Sequence, residues 1–502
     1  MESTGNDQPA RAPPCADNAT LCLRAGLIYP PGMPPPPFHT WPYHRTGSAL
    51  SFPRDEGWHR LLPLGVANPA LGDMEWVYLN SHVKEQGGTG RTFVVFAAYF
   101  TQHLRFLVVR AFDAQDRYLG GWTGTAWGLL RPSAERLDLT FKHGGGTDEW
   151  KTRLDAAGDP IPFASRLHAL DDAGKFSVDL DLECQKRPYE AGGVGFLPFG
   201  KRGSFHYYSL TRLSVAGTLR LPKNGGGEET IAVDGSGWYD HQWGPFYVTP
   251  FRTKNLEQYE WMSIQLDSGD EILLTTVWEP DGRTPGLPAY GGAGLIRADS
   301  TFDKLIGSHR WKRTRFWRSP DQHAIYAAEW TFDAPEWNTS LRITPRYHDQ
   351  LTPIVDDPPP SLLGSVTHMF EGWANWLGDF WEGSCRVAGT FNGQPASGVA
   401  FAELIKRYED PEFRIEVVRN EPGRSLLMWR VDNPDEQVKL EYRFFLEHAD
   451  GTPIIDRSGL DIPVMVLDDP ALPTGEALVA RVVARSVDGA ISGTATTSVT
   501  LR

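Results

Sequence analysis

The densest chemistry in the chain lies in DGSGWYDHQWGPF, residues 234–246. Asp240, His241 and Trp243 follow closely behind Gly235, Gly237 and Trp238. A histidine can give or take a proton near neutral pH. A carboxylate beside it can fix its tautomer or act as an acid, and an indole face can steady a passing cation. Alternate residues of an extended segment share a side, so His241 and Trp243 point one way while Asp240 and Gln242 point the other. The neighbouring glycines predict a bend or bulge that aims these side chains. The same residues also suit a buried histidine and tryptophan with a structural role.

Standard catalytic signatures are missing. The chain has no HExxH, no GxSxG and no EF-hand loop. GGTGRT at 87–92 lacks the lysine and spacing of a phosphate loop and reads as a hairpin turn. The 14 histidines show no local metal-ligand spacing, so no metal is expected on that ground, although β-proteins draw ligands from distant strands. Cys15, Cys22, Cys184 and Cys385 are too sparse for a disulfide scaffold. A pairing of Cys15 with Cys22 is open, but reduced thiols are the simpler reading.

The elements that must position these residues read as strands. TFVVFAAYF, LRFLVVRAFDA, YYSLTRLSVAGTLRL, YEWMSIQLDSG and EILLTTVWEPDG are rich in β-branched and aromatic residues and break at Gly, Pro, Asn and Asp. Phe176, Val178, Leu180 and Leu182 alternate with polar residues, as on a half-buried strand. One helical candidate follows the DDPPP break, at about 361–379. Residues 1–59 form a Pro-rich arm, and residues 411–502 read as about seven short strands around Trp429, which suits an immunoglobulin- or fibronectin-like sandwich. Residues 60–245 and 246–408 are two β-rich halves.

Composition narrows the function. Lys+Arg is 49 against 63 Asp+Glu, a net charge of -14, which disfavours nucleic acid and anionic membranes as partners. The longest strongly apolar run, FVVFAAYF, is far shorter than the ~20 residues of a spanning helix. The N-terminus has neither a basic start nor an apolar core, so a cytoplasmic location is expected. The 51 glycines and 18 tryptophans suit a β-protein with large hydrophobic surfaces.

DGSGWYDHQWG resembles the signature of the hydroxyneurosporene synthase family, the carotenoid 1,2-hydratases and their lipocalin-like relatives. YYSLTRLSVAGTLRL at 207–221, MEWVYLNSHV at 74–83 and FWEGSCRVAGTFNGQPASGVAFAEL at 380–404 resemble further segments of that family in the expected order. The resemblance spans about 70–408. It implies an all-β fold of two lipocalin-like barrel or sandwich domains packed together, with the sandwich at the C-terminus beyond it. It also implies an apolar small-molecule substrate and a pocket in or between the two domains.

By that resemblance, Asp240, His241 and Trp243 are the catalytic candidates, with Asp240 and His241 as the proton-handling pair. Glu75, Trp76, Tyr78, Asn80, Trp238, Trp261, Trp278, Glu382 and Glu403 are candidates for binding substrate. Where the hydratases carry a Tyr and an Asp on the strand after the signature, Thr275 and Thr276 stand here, with Trp278 and Glu279 beyond. Three functions follow. The first is acid-initiated addition to a double bond of a polyene or isoprenoid, giving hydration or cation cyclisation. The second is a pericyclic, Diels–Alder-type cyclisation, with His241 or Asn80 bonding a carbonyl. The third is a non-catalytic carrier of an apolar ligand. None of these requires an organic cofactor, and none is expected.

Overall fold

The computed structural model describes residues 38, 40–59, 73–101, 103–199, 203–223, 225–245, 258–278, 290–305, 307–321, 324–353, 380–435 and 437–502. The helical candidate at 361–379, Glu279, Cys15, Cys22 and residues 1–37 and 39 of the Pro-rich arm lie outside the described residues.

The described residues are almost wholly β. A thirteen-stranded antiparallel sheet between Asp73 and Pro245 curls into a nearly closed barrel, and a ten-stranded sheet between Gln258 and Leu404 forms a half-barrel. A three-stranded and a four-stranded sheet follow as a sandwich, closed over Leu427, Trp429 and Phe444.

Period-two alternation builds the barrel. Val178, Leu180 and Leu182 face its core, while Asp179 and Asp181 face outward and are partly exposed. Trp150, Leu167, Leu219 and Val233 fill the same interior. The later part of the Pro-rich arm is not a free arm. Tyr43, Phe52 and Trp58 are buried in the barrel core, because apolar rings of that size gain more from burial than from solvent. This strap, residues 40–59, also brings Asp55, Glu56 and His59 to the barrel.

A third core joins the barrel to the half-barrel. Trp76, Tyr78, Phe96, Phe106, Tyr207 and Trp238 of the first sheet meet Trp261, Val277, Phe380 and Phe401 of the second. Polar contacts cross at its edges: Glu271 is bonded by Lys186 at 2.6 Å and Arg212 at 2.6 Å, and Arg110 donates to the Glu382 carbonyl at 2.8 Å. The C-terminal sandwich packs on the half-barrel core, where Ile491 is buried. Arg318 Nε donates to the Ala490 carbonyl at 3.0 Å across that contact.

The motif glycines act differently from expectation. The Glu228–Pro245 strand pairs in unbroken register with the Asp73–Glu85 strand through Gly235 and Gly237. The bulge sits across from them, between Leu210 and Leu213 of the neighbouring strand. Gly235 permits close approach: a Cβ there would lie 2.1 Å from the His82 carbonyl oxygen, whereas one at Gly237 meets nothing nearer than 3.0 Å. Gly235→Ala therefore lowers stability by about 1–3 kcal/mol, and Gly237→Ala costs less. Denaturant midpoints of the two variants check the order, and equal midpoints would contradict it.

Candidate functional site between the sheets

The Glu228–Pro245 strand lies between the Asp73–Glu85 and Gly203–Pro222 strands. Val77 stands opposite His241, Tyr78 opposite Asp240 and Asn80 opposite Trp238. Tyr208 and Ser209 flank His241 and Asp240 from the other side. Alternation gives this one strand two chemically distinct faces. Tyr239, His241 and Trp243 enter the barrel, whereas Trp238 and Asp240 face the half-barrel.

On the barrel face, Glu75 Oε1 lies 2.8 Å from His241 Nε2 and 3.0 Å from His59 Nδ1. His59 Nε2 lies 3.1 Å from Asp55 Oδ1. Burial disfavours the charged form of His59, but Asp55 and Glu75 outweigh it and raise its pKa. Burial lowers the pKa of His241. Trp243 is stacked with His59 at 4.0 Å and with His206 at 5.3 Å between ring centroids. Close by, a cavity with room for about one water is lined by Glu56, Thr152, Ser165 and Tyr239. Burial pushes the Glu56 carboxyl up to about 8.

On the other face, Asp240 accepts hydrogen bonds from Ser209 Oγ at 2.6 Å and Trp238 Nε1 at 2.7 Å. Burial raises its pKa to about 7 despite them. Glu382 and Glu403 come from the half-barrel, where they are direct cross-strand partners. Tyr78 donates to Glu382 at 3.1 Å, and Tyr259 donates to Glu403. Burial, and then the charge of Glu403, raise the Glu382 pKa well above the usual range. Glu403 is partly exposed as a residue, but burial of its carboxyl pushes it up to about 7.

The partners of these carboxyls set them apart. Glu260 and Glu271 are also buried, but Arg313 bonds the first at 2.8 Å, and Lys186 and Arg212 bond the second. The hydrogen bonds to the side chains of Asp240, Glu382 and Glu403 come from hydroxyl and indole groups. A buried carboxyl without a cation beside it keeps its proton. The surrounding wall is aromatic: Trp238 and Trp261 meet edge to face at 6.1 Å, and Tyr78, Phe96 and Phe401 adjoin them.

The candidates thus divide. Trp76, Tyr78, Asn80, Trp238, Asp240, Trp261, Glu382 and Glu403 gather at the sheet interface, whereas Glu75, His241 and Trp243 lie inside the barrel. Asp240 and His241 cannot share a proton directly, because consecutive strand residues face opposite sides. Trp278 belongs to neither group. It lies on the inner side of the half-barrel, with the Arg313 guanidinium 5.0 Å and the Lys406 ammonium 5.7 Å from its ring. Thr275 pairs with Trp261, and Asn80 makes a long 3.5 Å contact with Ser263.

Sequence reasoning missed Tyr207, Ser209 and Tyr259. Tyr259 shares strand parity with Trp261, the signal that would have found it. It also missed His59 and Asp55, which the Pro-rich reading of the arm concealed.

The AttH-like family profile matches residues 126–407, more than half of the chain. The chain belongs to the AttH-like family. The match takes in most of the 70–408 stretch that resembles the hydratases and their lipocalin-like relatives. It includes Asp240, His241, Glu382 and Glu403, and it excludes Glu75, Tyr78 and the strap. Among solved structures, this AttH-like chain is similar to an AttH protein from Nitrosomonas europaea at 19% identity, with 72% of this chain and 98% of that one covered and a TM-score of 0.47. It is also similar to kievitone hydratase from Nectria haematococca at 16% identity, covering 69% and 93%, with a TM-score of 0.47. For CghA the identity is 10%, the coverage 67% and 88%, and the TM-score 0.37. No curated protein sequence matches the chain. No helix among the described residues is long and apolar enough to cross a membrane.

The raised carboxyls couple stability to pH. Glu403 holds its proton up to about 7 when folded but releases it near 4.5 when unfolded. The folded state then binds more protons between those values, so its stability falls as pH rises through them. A Gln at this position does not titrate. Relative to Glu403→Gln, the natural protein therefore loses on the order of 2 kcal/mol between about pH 4.5 and 7. Urea unfolding of both proteins across that range checks this, and parallel curves would refute it.

Proposed function

We propose that this AttH-like protein is an enzyme that protonates a carbon–carbon double bond of an apolar, polyunsaturated small molecule at the aromatic wall between the two sheets. The reading is carried by one observation: Glu382 stands directly opposite Glu403, with Asp240 facing them from the other sheet, and among the described residues none of the three side chains takes a hydrogen bond from a cation. Like charges this close cannot all ionise, so the group retains a proton near neutral pH.

In the proposed reaction the carboxyl O–H bond breaks as a C–H bond forms at one alkene carbon. The positive charge left on the other carbon faces aromatic rings, which stabilise it. Water adding to that carbon gives hydration, and its lost proton returns to the carboxylate. An internal alkene adding instead gives a ring, and loss of a proton from the new cation to the carboxylate regenerates the acid. The resemblance of residues 234–246 to the hydratases supports the same class of chemistry.

The test uses an acyclic carotenoid, a prenylated isoflavonoid and a linear polyene as probes in deuterated water. Turnover places deuterium on carbon. Glu382→Gln and Asp240→Asn retain hydrogen-bonding capacity but have no proton to transfer, so turnover falls by about 100-fold or more. Turnover without deuterium on carbon, retained in both variants, would contradict the acid reading and favour pericyclic cyclisation. Stoichiometric binding without turnover would identify a carrier.

A further inference from the structure

The acid chemistry leaves the barrel face of the same strand unused. There, His59, Glu75 and His241 each offer one ligand atom, and the three atoms lie within 4.8 Å of one another. Two imidazole nitrogens already approach a single carboxylate oxygen, at 2.8 and 3.0 Å. The side chains of Glu75 and His241 are fully buried, whereas that of His59 is 20% exposed, which leaves an approach from outside.

We propose that His59, Glu75 and His241 form a binding site for a divalent transition-metal ion, with zinc as the ion that suits this donor set best. Two histidines and one glutamate are a recurrent zinc ligand set, and three protein ligands leave a fourth position for water. The surroundings provide the support such a site needs. A histidine that binds a metal through one nitrogen presents its other N–H to a carboxylate or carbonyl. His59 has Nδ1 toward Glu75 and Nε2 toward Asp55 at 3.1 Å. Asp55 is itself held by the Ser51 amide at 2.6 Å and Arg54 Nε at 2.6 Å. Stacking on Trp243 at 4.0 Å fixes the His59 ring plane. Nδ1 of His241 is buried with no hydrogen-bond partner among the described residues.

The three residues come from the strap and two paired strands, so no local spacing announces them. A bound ion would tie the strap to the barrel. Its energy would add to folding stability, because the ligands are together only in the folded chain.

The test uses the full chain after chelator treatment, with cobalt(II) as the spectroscopic probe and zinc as competitor. The expected result is one cobalt ion per chain with a visible ligand-field band, displaced by zinc, and a zinc-dependent rise in melting temperature. His59→Gln abolishes the band. Asp55→Asn touches no ligand atom and weakens binding about 10–100-fold. Should His59→Gln fail to fold, the graded loss in Asp55→Asn carries the decision. The proposal is overturned if neither ion binds stoichiometrically, or if cobalt binds folded His59→Gln or Asp55→Asn as it binds the natural protein. Loss of the site would leave the carboxyl chemistry untouched, because Asp240, Glu382 and Glu403 lie on the other face.

Discussion

Asp240, Glu382 and Glu403 are gathered between two apolar sheets, and their hydrogen bonds come from Ser209, Trp238, Tyr78 and Tyr259 rather than from a cation. Ionising all three there would bury three like charges with only Arg110, which bonds the Glu382 main-chain carbonyl, to offset them. The protein satisfies the constraint by keeping protons on them. Elsewhere it takes the opposite course: Glu271 receives Lys186 and Arg212, and Glu260 receives Arg313. Carboxylates that hold the fold together are given cations. The side chains of the three between the sheets receive hydroxyl and indole hydrogen bonds instead.

The sheet interface and the barrel interior share one strand. Because side chains alternate, residues 238–243 serve two compartments at once. Asp240 and Trp238 belong to the aromatic wall, while His241 and Trp243 belong to the imidazole–carboxylate cluster around Glu75. Each neighbouring strand repeats the division. Tyr78 and Tyr207 face the half-barrel, and Val77 and Tyr208 face the barrel core. The two clusters thus share strands while their side chains lie in separate cores. The close approach at Gly235 keeps this strand in register, and register decides which residue faces which compartment.

Much of this was legible in the chain. Strand-rich segments, the alternation at Phe176–Leu182 and the opposite orientations of Asp240 and His241 all follow from period-two patterning. Trp429 at the centre of the C-terminal sandwich was legible too. Other features depend on contacts between distant segments. Glu382 and Glu403 are recognisable as members of motifs, but their cross-strand pairing and their approach to Asp240 exist only once two sheets dock. Trp278 looked like its aromatic neighbours, yet strand parity sends it to the inner side of the half-barrel. The strap was the hardest to read. Proline-rich composition suggests an extended arm, and only tertiary packing reveals that Trp58 and His59 complete the barrel.

The central claim, that this carboxyl group retains a proton near neutral pH, is open to direct observation by infrared spectroscopy in deuterated buffer. The account predicts a protonated-carboxyl stretch that persists at about pH 6, where ordinary carboxylates have ionised. Glu56→Gln removes the contribution of the buried glutamate inside the barrel and leaves the band present. Adding Glu382→Gln to that variant diminishes it. A spectrum of the Glu56→Gln protein with every carboxyl ionised at that pH would contradict the account.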